Sequence, residues 1–279
     1  MRENQPSYTS YRVALSRAAH QLLEHPVVFE DALALRIIGA KARADLEANP
    51  ERANRLRRSR NIRALLAARS RLAEDALAQA VARGATQYVV LGAGLDTFAY
   101  RNTNPSLRIF EVDHPDTQRW KRERLREAGI PEPANLTFVP VNFERQDLGA
   151  EMATAGFAPD RPSFMSWLGV LVYLERPAIW ATLRWIASNR ESGVAFDYGV
   201  HPRTLRHRLA FWFFSRRVKR AGEPFRTQLE PDEVAAGLRE AGFTSVEDFA
   251  GPEINRRYFA ARADGFAVGP LAHVVVART

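Results

Sequence analysis

A chain of 279 residues, 46% of them hydrophobic, is long and apolar enough to bury the core of a large α/β domain, which excludes global disorder. It has no cysteine, so disulfides, thiolate metal sites and a cysteine nucleophile are excluded together. The formal charge of +8 is almost all arginine, with lysine only at Lys41, Lys121 and Lys219, and it reads as coding background rather than a nucleic-acid surface.

No apolar run reaches the roughly 18 residues of a membrane span, and Met1 to Pro6 lacks an apolar signal core. A cytoplasmic protein without a membrane span is expected. Residues 12–85 read as helices. Arg12 to Leu23 carries Val13, Leu15, Ala18, Ala19, Leu22 and Leu23 at near-helical spacing, and His25-Pro26 breaks the pattern. Phe29 to Ile38 resumes it with Leu33, Ile37 and Ile38, and Pro50 breaks it again. Leu56 to Ala82 predicts one long helix that Gly84 stops. Its arginines, Arg57, Arg58, Arg60 and Arg63, with Arg52 and Arg55 before them, read as a solvated face.

Strands and helices then alternate, which predicts a parallel sheet with helices on both faces. The predicted strands are Gln87 to Leu91, Leu107 to Val112, Leu136 to Val141, Ser163 to Leu168 and Gly193 to Tyr198, with helices Asp116 to Ala128 and about Arg176 to Ser188. The alternation pauses at His201 to Arg220, a basic helix carrying Phe211, Trp212, Phe213 and Phe214, read as a cap over the site rather than a membrane-surface helix. Pro231 opens a further helix, and Gly242 to Phe249 and Ala272 to Ala277 complete the strands. The expected organisation is a helical cap over 1–85 and a core over 86–279 with an insertion at about 199–230, folded as one unit.

The first strand runs directly into Gly92-Ala93-Gly94, a turn that lets the backbone approach a ligand at the carboxyl end of a parallel strand. A dinucleotide fingerprint needs a third glycine where this chain has Thr97, and Asp96 would repel a pyrophosphate. Both features favour S-adenosylmethionine, whose amine and sulfonium welcome a carboxylate. Asp113, 19 residues past Gly94 at the end of the second strand, can accept from ribose hydroxyls.

At these residues the chain resembles the leucine carboxyl methyltransferase-like family, its bacterial branch above all. The resemblance is carried by Ala68-Arg69-Ser70-Arg71, by Leu91-Gly92-Ala93-Gly94-Leu95-Asp96-Thr97 with Tyr100-Arg101, and by Phe110-Glu111-Val112-Asp113-His114-Pro115. It runs on through Trp167 to Leu174 and the tail from Asn255 to Gly265, about residues 10–279 in all. It implies a Rossmann-like class I methyltransferase: a seven-stranded α/β sheet with its last strand antiparallel, an N-terminal helical cap and a helical insertion after the fifth strand. It also implies S-adenosylmethionine as cofactor, S-adenosylhomocysteine as product and no metal. By position, Arg69 would meet the cofactor's carboxylate, Gly92, Ala93 and Gly94 would line its methionine part, and Asp96 would lie near its ammonium. Asp113 would hold the ribose, Asn142 and Phe143 would flank the adenine, and Leu168 and Gly169 would line the methionine end. Arg17 falls near a basic cofactor contact of eukaryotic relatives.

Two positions depart from the pattern. Asn142 stands where relatives carry aspartate, which leaves a neutral acceptor. Leu168 stands where the leucine carboxyl enzymes carry glutamate, which removes a carboxylate beside the reaction. The expected activity is O-methylation of a small-molecule acceptor, carboxylate or hydroxyl. A carboxylate needs no general base, whereas a hydroxyl would draw on Tyr173, Tyr198, His201 or His207. Arg256, Arg257 and Tyr258 are candidates for orienting an acidic acceptor. The alternatives are a cofactor-binding regulator without turnover, a nicotinamide oxidoreductase, which the missing glycine disfavours, and a basic nucleic-acid-binding protein.

Overall fold

Side-chain alternation along the strands divides the core in two. Val89 and Leu91, Val194 and Phe196, and Val275 and Ala277 point to one face, while Tyr88, Val90, Ala195, Val274 and Val276 point to the other. The computed structural model describes residues 7–54, 57–143, 145–202 and 225–279, with 204, 205, 208, 209, 212, 215 and 216; the side chains of residues 57 and 58 lie outside it. The strands are β1 (Gln87–Leu91), β2 (Arg108–Asp113), β3 (Leu136–Pro140), β4 (Ser163–Trp167), β5 (Ser192–Gly199), β6 (Ser245–Ala250) and β7 (Ala272–Arg278). They form one sheet in the order β3-β2-β1-β4-β5-β7-β6. The first five strands are parallel, and β7 lies antiparallel between β5 and β6. The chain winds outward from β1 through β2 to β3, then returns to β4 on the other side of β1. That reversal opens a crevice at the carboxyl ends of β1 and β4, where ligands bind in open α/β sheets.

The helices are α1 (Tyr8–Leu23), α2 (Ala34–Ile37), α3 (Ala40–Ala48), α4 (Arg57–Ala82), α5 (Phe98–Arg101), α6 (Pro115–Glu127), α7 (Leu148–Thr154), α8 (Arg176–Ala187), α9 (Pro231–Ala241) and α10 (Gly251–Tyr258). α7, α8 and α9 cover the first face through Leu148, Met152, Ile179, Leu183, Val234 and Leu238. α4, of 26 residues, covers the second through Leu72, Leu77 and the small side chains of Ala64, Ala68 and Ala76. α1 and α2 pack with Leu95, Leu125 and Ile130 in a third cluster beside the β1 turn. Among the described residues, no helix is long and apolar enough to cross a membrane.

Several elements differ from the sequence expectation. The segment Phe29 to Ile38 is helical only at α2, because the Asp31 side chain accepts the Leu33 amide at 3.0 Å and turns the chain before a helix can start. Gly39, at φ +88°, then separates α2 from α3. β6 begins at Ser245 rather than Gly242, because Gly242 takes a left-handed conformation and ends α9. α4 does not present a uniformly solvated basic face. Arg63 is 2% exposed and donates to Glu24 at 2.6 and 3.0 Å, while Arg60 pairs with Asp264 at 3.1 Å and Arg71 with Asp75 at 2.8 Å. In the His201 to Arg220 segment, Leu205, Leu209 and Trp212 are 71%, 52% and 48% exposed, so these apolar residues do not pack over the site. His207, Phe211, Phe213 and Phe214 lie outside the described residues.

Candidate active site

β1 ends at Leu91 and the chain turns at once. The Gly92 and Ala93 amides both donate to the Val112 carbonyl, at 2.8 and 3.1 Å, and draw the turn toward β2. The Gly94 amide donates to Asp113 Oδ2 at 2.6 Å, and the His114 amide donates to Asp113 Oδ1 at 2.7 Å. Asp113 is thus held between the β1 turn and its own strand end. Burial pushes its carboxyl above the ordinary range, against the two amide hydrogen bonds that favour the ionised form. Gly94 has φ +46°, and a Cβ there would lie 2.8 Å from Ser10 Oγ, so glycine is what lets α1 settle on the turn.

α1 brings a buried arginine to the same place. Arg17 pairs with Asp31, donates to Thr97 Oγ1 at 2.7 Å, and stands 3.6 Å from Asp96 Oδ2. The Asp96 Oδ1 atom accepts the Phe98 amide at 2.7 Å, which caps the turn into α5. Across the crevice, Arg69 on α4 donates to Asp197 Oδ2 at 2.8 Å, and the Gly169 amide donates to Asp197 Oδ1 at 2.5 Å.

β2 and α6 share a buried ion pair. Glu111 and Lys121 are each 1% exposed, with Glu111 Oε2 2.6 Å from Lys121 Nζ, while Glu111 Oε1 has no partner among the described residues. Burial outweighs the attraction of Lys121 and pushes the Glu111 carboxyl from 4.5 up to about 7. A carboxyl raised on folding binds its proton more tightly in the native state. The contribution of Glu111 to stability is therefore greatest below pH 4.5, declines as pH rises to about 7 and is level above that. Glu111→Gln is expected to remove this decline, whatever its offset, and denaturant midpoints at pH 5 and pH 7.5 test it; an unchanged difference between the two would exclude Glu111 as the source.

Arg17, Arg69, Gly92, Ala93, Gly94, Asp96, Asp113, Asn142, Phe143, Leu168, Gly169 and Tyr173 all line one cavity of about 500 Å³ at the crevice. Other candidates are placed elsewhere. The Tyr198 hydroxyl donates to Asp248 Oδ2 at 2.5 Å and lies 3.2 Å from His273 Nδ1; burial and the Asp248 carboxylate raise its pKa. His201 is exposed and lies 3.0 Å from Glu230 Oε1. Arg256, Arg257 and Tyr258 sit on α10, which follows the edge strand β6. There Tyr258 donates to Asp75 at 3.3 Å, Arg257 lies 5.4 Å over the Phe249 ring, and Arg256 is exposed. None of these five lines the cavity.

The cavity also includes residues that the sequence reading did not assign: Ser7, Thr9, Ser10, Val13 and Ala14 of the α1 region, His114, Asp116, Arg145, Ser166, Val170 and Arg226. Ser10, Val13, Ala14 and Arg17 follow the spacing of one helical face, which is the signal that was available. Among the described residues there is no cluster of three or more metal-ligating side chains.

The family model for leucine carboxyl methyltransferase matches residues 10–187. The chain belongs to the leucine carboxyl methyltransferase family. A Bacillus subtilis relative, YktD, whose name refers to S-adenosyl-L-methionine-dependent methyl transfer, is 29% identical, over 99% of this chain and 98% of the relative. A Frankia alni protein of the same designation is 33% identical over 66% of this chain and 65% of its own. Among solved structures, a Thermobifida fusca protein named for methyltransferase activity matches with a TM-score of 0.60 at 14% identity, covering 99% of this chain and 96% of that one. A Bordetella parapertussis protein matches with a TM-score of 0.51 at 13% identity, covering 99% and 97%. Membership in this family makes the protein an S-adenosylmethionine-dependent methyltransferase. The crevice suits that cofactor: its glycine turn has no room for a Cβ, an acid ends β2, and a largely buried guanidinium lies at the opposite end.

Proposed function

We propose that the protein methylates an oxygen of a small-molecule acceptor, and that the oxygen belongs to a carboxylate. The cofactor supplies an activated methyl group on a sulfonium, so the protein's work is to bind, align and exclude water. In this reading Arg69 meets the cofactor's carboxylate, and Asp96, with Gly92 to Gly94, receives its ammonium side. Asp113 takes the ribose hydroxyls, and Asn142 and Phe143 flank the adenine. α1 to α4 serve as a cap folded with the sheet, and α1 closes one wall of the cavity.

One observation carries the choice of a carboxylate. Among the described residues, the cavity wall beyond β4 is Leu168, Gly169, Val170, Tyr173, Leu174 and Arg226, with no carboxylate and no imidazole. Among the described residues, the acids and the histidine of the lining, Asp96, Asp113, Asp116 and His114, belong to the β1 turn, the end of β2 and the start of α6. A carboxylate acceptor arrives ionised and needs no proton removed, and a guanidinium beside it favours an anion. Arg226, whose Nη1 is 3.2 Å from Glu175 Oε1, supplies that charge. Transfer of labelled methyl groups from S-adenosylmethionine to panels of small carboxylates and phenols, at pH 6 and 8.5, tests the reading. Transfer to carboxylates at nearly equal rates at both pH values is expected. Transfer confined to phenols, with a rate rising steeply with pH, overturns it.

A further inference from the structure

We infer that Asp197 is a positioning residue for cofactor binding: it sets the Arg69 guanidinium at the methionine end of the cavity by tying it to the Gly169 turn. The inference rests on the reading above, in which Arg69 meets the cofactor's carboxylate. Asp197 sits near the end of β5, is 7% exposed and does not line the cavity. Its two oxygens have different tasks. Oδ2 accepts from Arg69 Nη1 at 2.8 Å, and Oδ1 accepts the Gly169 amide at 2.5 Å. Arg69 and Gly169 both line the cavity, on α4 and on the turn after β4, and Asp197 bridges them.

The fit on the other side of the guanidinium is equally close. Gly169 has φ +72°, and a Cβ there would lie 2.8 Å from Arg69 Nη2 and 2.9 Å from Nη1. The arginine head is therefore held between a carboxylate and a backbone that only glycine leaves open. An arginine side chain has several rotatable bonds, and fixing it before the ligand arrives removes an entropic cost from binding. Asp197 also neutralises a guanidinium that burial would otherwise disfavour. Asparagine at this position has the same shape, but its single acceptor oxygen must leave Arg69 or the Gly169 amide facing an N–H₂ group.

A purely structural role and a positioning role differ in which part of the ligand they affect. S-adenosylhomocysteine carries the amino-acid carboxylate, whereas methylthioadenosine keeps the adenosine and sulfur without it. Calorimetry with both ligands on the intact protein separates the roles. Asp197→Asn is expected to weaken S-adenosylhomocysteine at least about tenfold, the scale of a charge-assisted hydrogen bond, and to leave methylthioadenosine within about twofold. Gly169→Ala, which displaces the guanidinium while keeping both charges, is expected to give the same contrast and carries the test if Asp197→Asn does not fold. Adding Asp197→Asn to Arg69→Met is expected to change the ratio no further.

Equal weakening of both ligands, or of neither, in Asp197→Asn and Gly169→Ala overturns the positioning role. If Arg69→Met itself leaves the ratio of the two affinities unchanged, the assignment of Arg69 fails and the inference falls with it. If Arg69→Met collapses the ratio and the other two variants do not, the inference alone falls.

Discussion

Asp31→Ala is expected to destabilise the protein by about 3 kcal/mol, because it removes the buried carboxylate that two guanidinium groups share. The Asp31 carboxylate is fully buried, pairs with Arg17, stands 3.4 Å from Arg101 Nε and accepts the Thr97 hydroxyl at 2.9 Å. Neither arginine is left wholly unpaired: Arg101 keeps Glu74 at 2.5 Å, and Arg17 keeps Asp96 at 3.6 Å. Those contacts put the effect at the lower end of the range for a broken buried pair. For a chain of this size the melting temperature should fall by roughly 6–12 °C. Burial pushes the Asp31 carboxyl up, but Arg17 and Arg101 outweigh it and hold it below its ordinary 3.8. A depressed carboxyl contributes stability that is complete above its unfolded pKa and is lost as pH falls through the folded value. The gap between wild type and Asp31→Ala should therefore narrow below pH 3.8. Denaturation at pH 3 and pH 7 measures it, and a gap that stays constant would show that the carboxylate's charge is not what matters.

The same residues show where sequence reasoning reaches and where it stops. The parallel strands were legible because each is a short apolar run punctuated by glycine, proline or an acid, and a buried strand needs nothing else. The meeting of the β1 turn and the β2 acid at the crevice was legible for a related reason: a glycine turn after one strand and an acid at the end of its neighbour both fall at the carboxyl edge of a parallel sheet. Arg63 was not legible. Its burial depends on Glu24, which comes from another helix, and a charged side chain reads as exposed until its partner is known. Asp197 and Tyr198 are adjacent at the carboxyl edge, and residue type drew attention to the tyrosine. Strand alternation sends Tyr198 to the face it shares with Val194 and Phe196, while Asp197 points to the opposite face and reaches Arg69 on α4. Choosing between neighbours required the register of β5, which the pattern of the chain alone leaves open. Asp31 illustrates a third limit, since a side chain that caps a turn competes with the helix that the surrounding apolar spacing suggests.

Asp113→Ala is expected to weaken S-adenosylhomocysteine by about 3 kcal/mol, roughly a hundredfold, the sum of a lost charged contact and a loosened turn. The carboxylate has two structural attachments, to the Gly94 and His114 amides, it keeps further acceptor capacity, and the residue lines the cavity. Removing it frees the Gly94 amide, so the turn that must lie close to the ligand loses the tie that positions it. The fold itself should suffer less, since burial already penalises this carboxylate in its ionised form. The pattern across ligands distinguishes this residue from Asp197. Ribose is common to S-adenosylhomocysteine and methylthioadenosine, so Asp113→Ala should weaken both by similar factors and leave their ratio near that of wild type. Because the Asp113 carboxyl is raised, cofactor binding should also weaken on acidification before an ordinary aspartate would protonate. Asp113→Ala should lose that pH dependence. Calorimetry with the two ligands across pH 4 to 7 tests both statements. A variant that weakened only S-adenosylhomocysteine would move Asp113 from the ribose to the amino-acid end of the cavity.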